Sequence, residues 1–217
     1  MCDHCSVKSL AECRLYAFVD TAYLDGRKPS LVAKQLCDGG ADLIQLRAKG
    51  VPLQQVQEMA EAILPITRAA GVGLVINDHH LLAETIGAEY CHLGQEDFFD
   101  SGLKRTSELR GPGSNLRVGL SSHAPEQAVR AVNAGADYVA IGPVYATGTK
   151  PNAQPVTLDY VRWAVAHLMV PWFAIGGINL TNLDAVLEVG ARRVCVVSAI
   201  LKEPDIAAAC AEFKRRL

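Results

Sequence analysis

Four times along this chain a helical stretch stops at Gly-Ala plus one residue, and a β-rich run begins at once. The copies are Gly40-Ala41-Asp42 before LIQLR, Gly87-Ala88-Glu89 before YCHLG, Gly135-Ala136-Asp137 before YVAIG, and Gly190-Ala191-Arg192 before RVCVVS. Glycine is the expected residue where a helix ends in a left-handed cap. The copies lie 47, 48 and 55 residues apart, and one βα unit with its loops uses about 25–30 residues. Each interval therefore holds two units. Four further strands are predicted between the copies, at 15–20, 73–78, 117–122 and 172–177, which makes eight. Helices are predicted at 31–39, 53–70, 80–87, 103–109, 125–135, 158–168, 180–190 and 205–217. Strands alternating with helices require a parallel sheet, because parallel neighbours need a crossover. Near-continuous apolar runs suit strands buried on both faces. Eight units in 217 residues predict a compact α/β protein, a (β/α)8 barrel. It is expected as a single domain over 14–217, with 1–13 a poorly ordered tail. An open doubly wound sheet would carry a glycine-rich dinucleotide fingerprint after its first strand, and none is present.

Composition narrows the function classes. A net charge of −2 leaves no basic excess for a nucleic-acid partner. No apolar stretch approaches the ~18–20 residues of a membrane helix, and MCDHCSVKSLAECR lacks the apolar core of a signal peptide. Seven cysteines is an odd count, and Cys37, Cys91, Cys195 and Cys210 fall inside predicted elements. That pattern suits reduced thiols in the cytoplasm. Cys2, His4, Cys5 and Cys13 do not complete a metal knuckle, and a frayed tail is expected there. Small molecules are the expected partners; a homo-oligomer stays open.

In a barrel, residues far apart in sequence converge at the strand ends on one face. Strand six runs into Gly142-Pro143 and then Thr147, Gly148, Thr149 and Lys150. Two hydroxyls, a glycine and an ammonium form a small, donor-rich grip for phosphate. Strand two brings Gln45, Arg47 and Lys49 to one side by alternation, with Leu46 and Ala48 on the other. Strand three ends in Asn77-Asp78 and strand four runs into Gln95-Glu96-Asp97. Carboxylates beside cations and a phosphate grip suggest Mg2+ shared between protein and substrate phosphates; each also fits a helix N-cap. Strand five ends at Ser121-Ser122-His123. A serine there can donate to phosphate or cap a helix, and His123 suits an acid/base, a ligand or a backbone-bonded structural histidine. Gly176-Gly177 after strand seven and Val197-Ser198 after strand eight suit a phosphate pocket of backbone N–H groups. Two phosphate subsites in one mouth suit the joining of two phosphorylated small molecules, and no covalent nucleophile is needed if a diphosphate departs by itself.

Seven segments in order and register resemble the thiamine-phosphate synthase family: QLRAK (45–49), IND (76–78), HLGQED (92–97), GLSSH (119–123), ADYVAIGPVYATGTK (136–150), AIGGI (174–178) and VVSAI (196–200). The resemblance covers residues 14–217 and includes the 19-residue spacing between Asp78 and Asp97. It implies a Mg2+-dependent transferase that joins a hydroxymethylpyrimidine diphosphate to a thiazole phosphate. Gln45, Leu46, Arg47, Ala48, Lys49, Asn77, Ser121 and Lys150 would contact the pyrimidine diphosphate, with Arg47, Lys49, Ser121 and Lys150 catalytic. Asp78 and Asp97 would hold Mg2+. Thr147, Gly148, Thr149, Gly177, Val197 and Ser198 would hold the thiazole phosphate. Two positions depart from the family pattern: His79 stands where an arginine is usual, and Thr157 where a glycine is common. The alternatives are a thiazole tautomerase with His123 as base, a non-catalytic precursor-binding barrel, and a phosphosugar isomerase barrel. The first does not require the aspartates or the Thr-x-Thr-Lys loop.

Overall fold

The computed structural model describes residues 7–148 and 154–217. Eight parallel strands close in sequence order into a barrel, the last pairing with the first. They are β1 Leu15–Asp20, β2 Leu43–Arg47, β3 Gly73–Asn77, β4 Tyr90–Leu93, β5 Arg117–Ser122, β6 Tyr138–Ile141, β7 Trp172–Ile175 and β8 Val194–Cys195. Around them lie α1 Pro29–Asp38, α2 Leu53–Ala70, α3 His80–Ile86, α4 Gln95–Asp100, α5 Pro125–Asn133, α6 Thr157–His167, α7 Leu183–Glu188, α8 Ser198–Leu201 and α9 Ile206–Arg216. None of the described helices is long and apolar enough to cross a membrane.

Three predicted elements changed visibly. The helix expected at 103–109 is a short 3-10 turn, Thr106–Leu109, whose Thr106 is tied through N–H to Ala134 and through Oγ1 to Gly135. The α-helix sits earlier, at α4, where Glu96 and Asp97 occupy the first turn and complement the helix dipole. Strands β3 and β7 end sooner than expected because Asp78 (φ 64°) and Gly176 (φ 101°) turn the chain out of extended geometry.

The repeated Gly-Ala-acid signature has a structural purpose. Asp42 accepts the backbone N–H of Leu15, Glu89 that of Leu74, and Asp137 that of Val118. In three copies the acid before one strand satisfies an amide at the start of its neighbour, at the end of the barrel opposite the strand C-termini. Asp42 also pairs with Lys8 at 2.7 Å and with Lys214 of α9, so it ties both ends of the chain to the barrel floor.

Two apolar layers result. The larger lies between strands and helices and includes Leu46, Ile63, Val139 and Phe213. The smaller fills the barrel with Tyr16, Phe18, Leu43, Val75, Tyr90, Tyr138 and Phe173. Leu10 and Cys13 belong to it, both buried. The segment from residue 7 to 13, expected as part of a frayed tail, therefore packs against the barrel floor. Gly119 of β5 makes room for this interior: a Cβ there would come within 2.0 Å of the Tyr138 ring.

Candidate active site

The C-terminal ends of the strands open onto a cavity of roughly 980 Å³, its open mouth included. That is ample for small phosphorylated ligands. Gln45, Arg47 and Lys49 line it in a row, as the alternation along β2 predicts. Leu46 and Ala48 do not; their side chains lie in the outer core beneath the helices. Any contact they make with a ligand is a backbone contact.

Arg47 is held by a partner the sequence pattern does not single out. Asp20 stands directly opposite it in the β1–β2 register, is 1% exposed, and accepts from Arg47 Nη1 at 2.9 Å. Its other oxygen accepts the backbone N–H of Ala22 at 3.0 Å. The guanidinium is thereby fixed at the cavity wall.

Asp78 does not cap α3; that position is His79. Its carboxylate instead accepts from Asn77 Nδ2 at 2.7 Å and pairs with Lys49 Nζ at 2.5 Å. Aspartate tolerates the left-handed geometry seen here better than most residues. Asp97 lies in the first turn of α4, with its Oδ2 3.9 Å from the same Lys49 Nζ. One ammonium thus sits between two carboxylates, in a cavity that Asn77 also lines. His79 donates its N–H to the carbonyl of Asn77 but is not part of the cavity wall.

On β5 the two serines face opposite ways. Ser121 lines the cavity and accepts the N–H of Gln95 at 3.1 Å, so its own proton is directed elsewhere. Ser122 points outward to Tyr160 Oη at 2.6 Å. His123 is bonded through Nδ1 to the Gly142 carbonyl, which places the proton on Nδ1 and ties β5 to β6. Its Nε2 lies 3.9 Å from Glu96.

The loop after β6 crosses β7 closely. Val144 and Tyr145 donate to the carbonyls of Ile175 and Gly176. At Gly177 (φ 66°) a Cβ would stand 2.5 Å from the Ala146 carbonyl oxygen, so glycine is required there whether or not phosphate binds. Thr147, Gly177, Val197 and Ser198 line the cavity. Gly148 lies beside it, near the Tyr23 hydroxyl. Thr149 and Lys150 fall outside the described residues.

Several residues of the cavity and its floor carried no local sequence signal beyond apolar strand character: Tyr16, Phe18, Tyr138, His92 and Cys195. Burial pushes the Cys195 thiol well above its usual range, so it stays protonated and is no nucleophile. Among the described residues no cluster of three or more His, Cys, Asp or Glu side chains could hold a metal alone. The cavity wall offers the cations Arg47 and Lys49 and the carboxylates of Asp78 and Asp97.

The sequence of the family described as thiamine monophosphate synthase matches residues 15–200. The chain belongs to the thiamine monophosphate synthase family. A thiamine-phosphate synthase of Thermus thermophilus is 45% identical over 180 residues, covering 82% of this chain and 84% of that protein. One from Acidothermus cellulolyticus is 42% identical over 211 residues, covering 96% and 97%. Among solved structures, the thiamine phosphate pyrophosphorylase of Pyrococcus furiosus superposes with a TM-score of 0.82 at 28% identity, over 94% of each chain. Membership in the thiamine monophosphate synthase family makes this chain a transferase of thiamine biosynthesis acting on small molecules.

Proposed function

We propose that this chain condenses 4-amino-2-methyl-5-hydroxymethylpyrimidine diphosphate with 4-methyl-5-hydroxyethylthiazole phosphate, or its carboxylated form, releasing thiamine monophosphate and diphosphate. One observation carries the proposal. A single cavity has cations flanked by carboxylates on one side (Arg47, Lys49, Asp78, Asp97) and Gly177, Val197 and Ser198 on the other.

The mechanism is dissociative. The bond between the pyrimidine methylene and the diphosphate oxygen breaks, and its electron pair leaves with the diphosphate. The ring amino group spreads the positive charge left on the methylene. The lone pair of the thiazole nitrogen then forms the new C–N bond. Arg47, Lys49 and Lys150 receive the negative charge that develops on the leaving group, and Ser121 donates its hydroxyl to it. Gln45 and Asn77 orient the pyrimidine diphosphate, with the backbone at Leu46 and Ala48 running alongside. Thr147, Gly148, Thr149, Gly177, Val197 and Ser198 hold the thiazole phosphate so that its nitrogen faces the methylene. No covalent enzyme intermediate is required.

Asp78 and Asp97 fit Mg2+. They are two oxygen donors close enough to share one ammonium, and Mg2+ takes one or two carboxylates together with phosphate oxygens and waters. When bound there, the ion supplies charge neutralisation to the diphosphate. The described cysteines are all free thiols, which supports a reducing, cytoplasmic setting.

The test is incubation of the purified protein with both substrates and Mg2+, with and without EDTA. Metal-dependent appearance of thiamine monophosphate is expected. No product with both substrates intact would overturn the proposal.

A further inference from the structure

Four polar side chains from four strands meet inside the barrel beneath the cavity. Gln45 Nε2 donates to Tyr16 Oη at 2.5 Å. Tyr16 Oη lies 3.0 Å from Tyr138 Oη, and Tyr138 Oη lies 3.2 Å from His92 Nδ1. Tyr16, Gln45 and His92 line the cavity, whereas Tyr138 does not and is fully buried. Burial drives both phenols well above their usual range, so each keeps its single proton.

Counting protons fixes how such a chain can be arranged. Each phenol has two neighbours and one proton, so it donates to one and accepts from the other. A buried donor left without an acceptor is unfavourable, and the three bonds must therefore run in one direction. In one order Gln45 donates, Tyr16 donates to Tyr138, and Tyr138 donates to His92 Nδ1. Gln45 Oε1 is then left for a ligand, and His92 carries its proton on Nε2. In the reverse order His92 is protonated on Nδ1, the less stable tautomer of a neutral histidine, and Gln45 is turned over to offer its NH2. The amide orientation in the structure belongs to the first order.

We infer that Tyr16 and Tyr138 are specificity-determining residues, whose one-way hydrogen-bond chain makes Gln45 present a carbonyl oxygen and so select an amino-substituted pyrimidine over its oxo counterpart. The inference rests on the proposed role of Gln45 at the pyrimidine. An exocyclic amino group is a donor and meets Gln45 Oε1. An exocyclic oxygen is an acceptor and faces that same oxygen unpaired. Sites that present a fixed polar group reject mismatched ligands strongly, because the mismatch leaves buried groups unsatisfied.

Removing the Tyr138 hydroxyl gives an outcome that a packing role does not. Tyr16 then loses the acceptor for its proton, and its best remaining bond is to donate to Gln45 Oε1. That turns the amide over, although Tyr138 does not line the cavity. Removing the Tyr16 hydroxyl frees Gln45 to present either face.

The test compares kcat/KM for the aminopyrimidine diphosphate and its oxo analogue in the wild type, Tyr138→Phe and Tyr16→Phe, with thermal melting to verify folding. Independently, 15N NMR of the His92 ring at alkaline pH reads the position of its proton in the free protein. A strong amino preference is expected in the wild type, reduced about tenfold or more in each variant, with the His92 proton on Nε2. A folded Tyr138→Phe enzyme with undiminished amino preference, or a His92 protonated on Nδ1, would overturn the inference while leaving the synthase activity intact. A wild type that makes no thiamine monophosphate would instead overturn the proposed function and with it the ligand preference, and the NMR result would still decide the proton order.

Discussion

Replacing Asp42 with alanine should strongly destabilise this barrel. The Asp42 side chain is wholly inaccessible to solvent and accepts from the N–H of Arg14 at 2.8 Å, the N–H of Leu15 at 3.0 Å and Lys8 Nζ at 2.7 Å, besides Lys214 Nζ. The buried Leu15 amide loses its acceptor, which costs about 1–3 kcal/mol. Loss of the charge-assisted bond from the part-buried Lys214 costs about 1.5–3 kcal/mol. Arg14 and the half-exposed Lys8 turn to water, and together contribute under ~1 kcal/mol. The total is about 2.5–7 kcal/mol, a span that brackets the ~3–5 kcal/mol of breaking a buried ion pair and is a large share of a typical 5–15 kcal/mol stability. Burial pushes the Asp42 carboxyl up, but Lys214, Lys8 and the two backbone amides outweigh it and hold it below its usual value. A lowered folded-state pKa contributes stability above the unfolded value of about 3.9 and loses it as pH falls through the folded value. The gap between wild type and Asp42→Ala should therefore be widest near neutrality and shrink on acidification below about pH 4. Urea unfolding at neutral and acidic pH measures both. A neutral-pH loss below ~1 kcal/mol, or a gap that persists in acid, would refute the reasoning.

Other perturbations test the mouth of the barrel. Asp20→Asn removes the charge that fixes Arg47, and kcat/KM of the folded variant should fall about tenfold, since positioning alone carries effects of that size; an unchanged kcat/KM would remove Asp20 from that role. Lys150→Ala should slow turnover ~10²–10³-fold as leaving-group stabilisation is lost, and near wild-type turnover would exclude Lys150 from it. Thr157 holds a β-branched side chain at φ 60°, a left-handed geometry costing roughly 1–2 kcal/mol. Thr157→Gly should raise the melting temperature by about 2–4 °C; a lower value would show that the backbone strain is relieved another way.

Most of the architecture was legible because barrel units announce themselves locally. Apolar runs with β-branched residues mark the strands, and terminal glycines mark helix ends. The misplaced helix shows the limit of that logic. At 103–109 a helix is predicted, yet a pair of hydrogen bonds from Thr106 to the neighbouring 134–135 turn holds it as a 3-10 segment. The site was legible in the same measure. Gln45, Arg47 and Lys49 follow from period-two alternation, whereas in the sequence Asp20 is only the last residue of the first predicted strand. The cross-strand pairing of opposite charges at the ends of adjacent strands was the signal that would have found its partner.

Alternation, cap chemistry and strand order are short-range properties, and from them the sequence alone determined the barrel, its mouth and the residue types that gather there. It also determined family membership, through motifs whose order survives any folding detail. What only the tertiary structure decided was pairing across the barrel. Tyr16 meets Tyr138, 122 positions away; Asp42 clasps Lys214, 172 positions away. Such contacts depend on register and closure of all eight strands, which no local period encodes. The direction of a hydrogen-bond chain through Gln45, Tyr16, Tyr138 and His92 arises only when four strands enclose the same few cubic ångströms away from water.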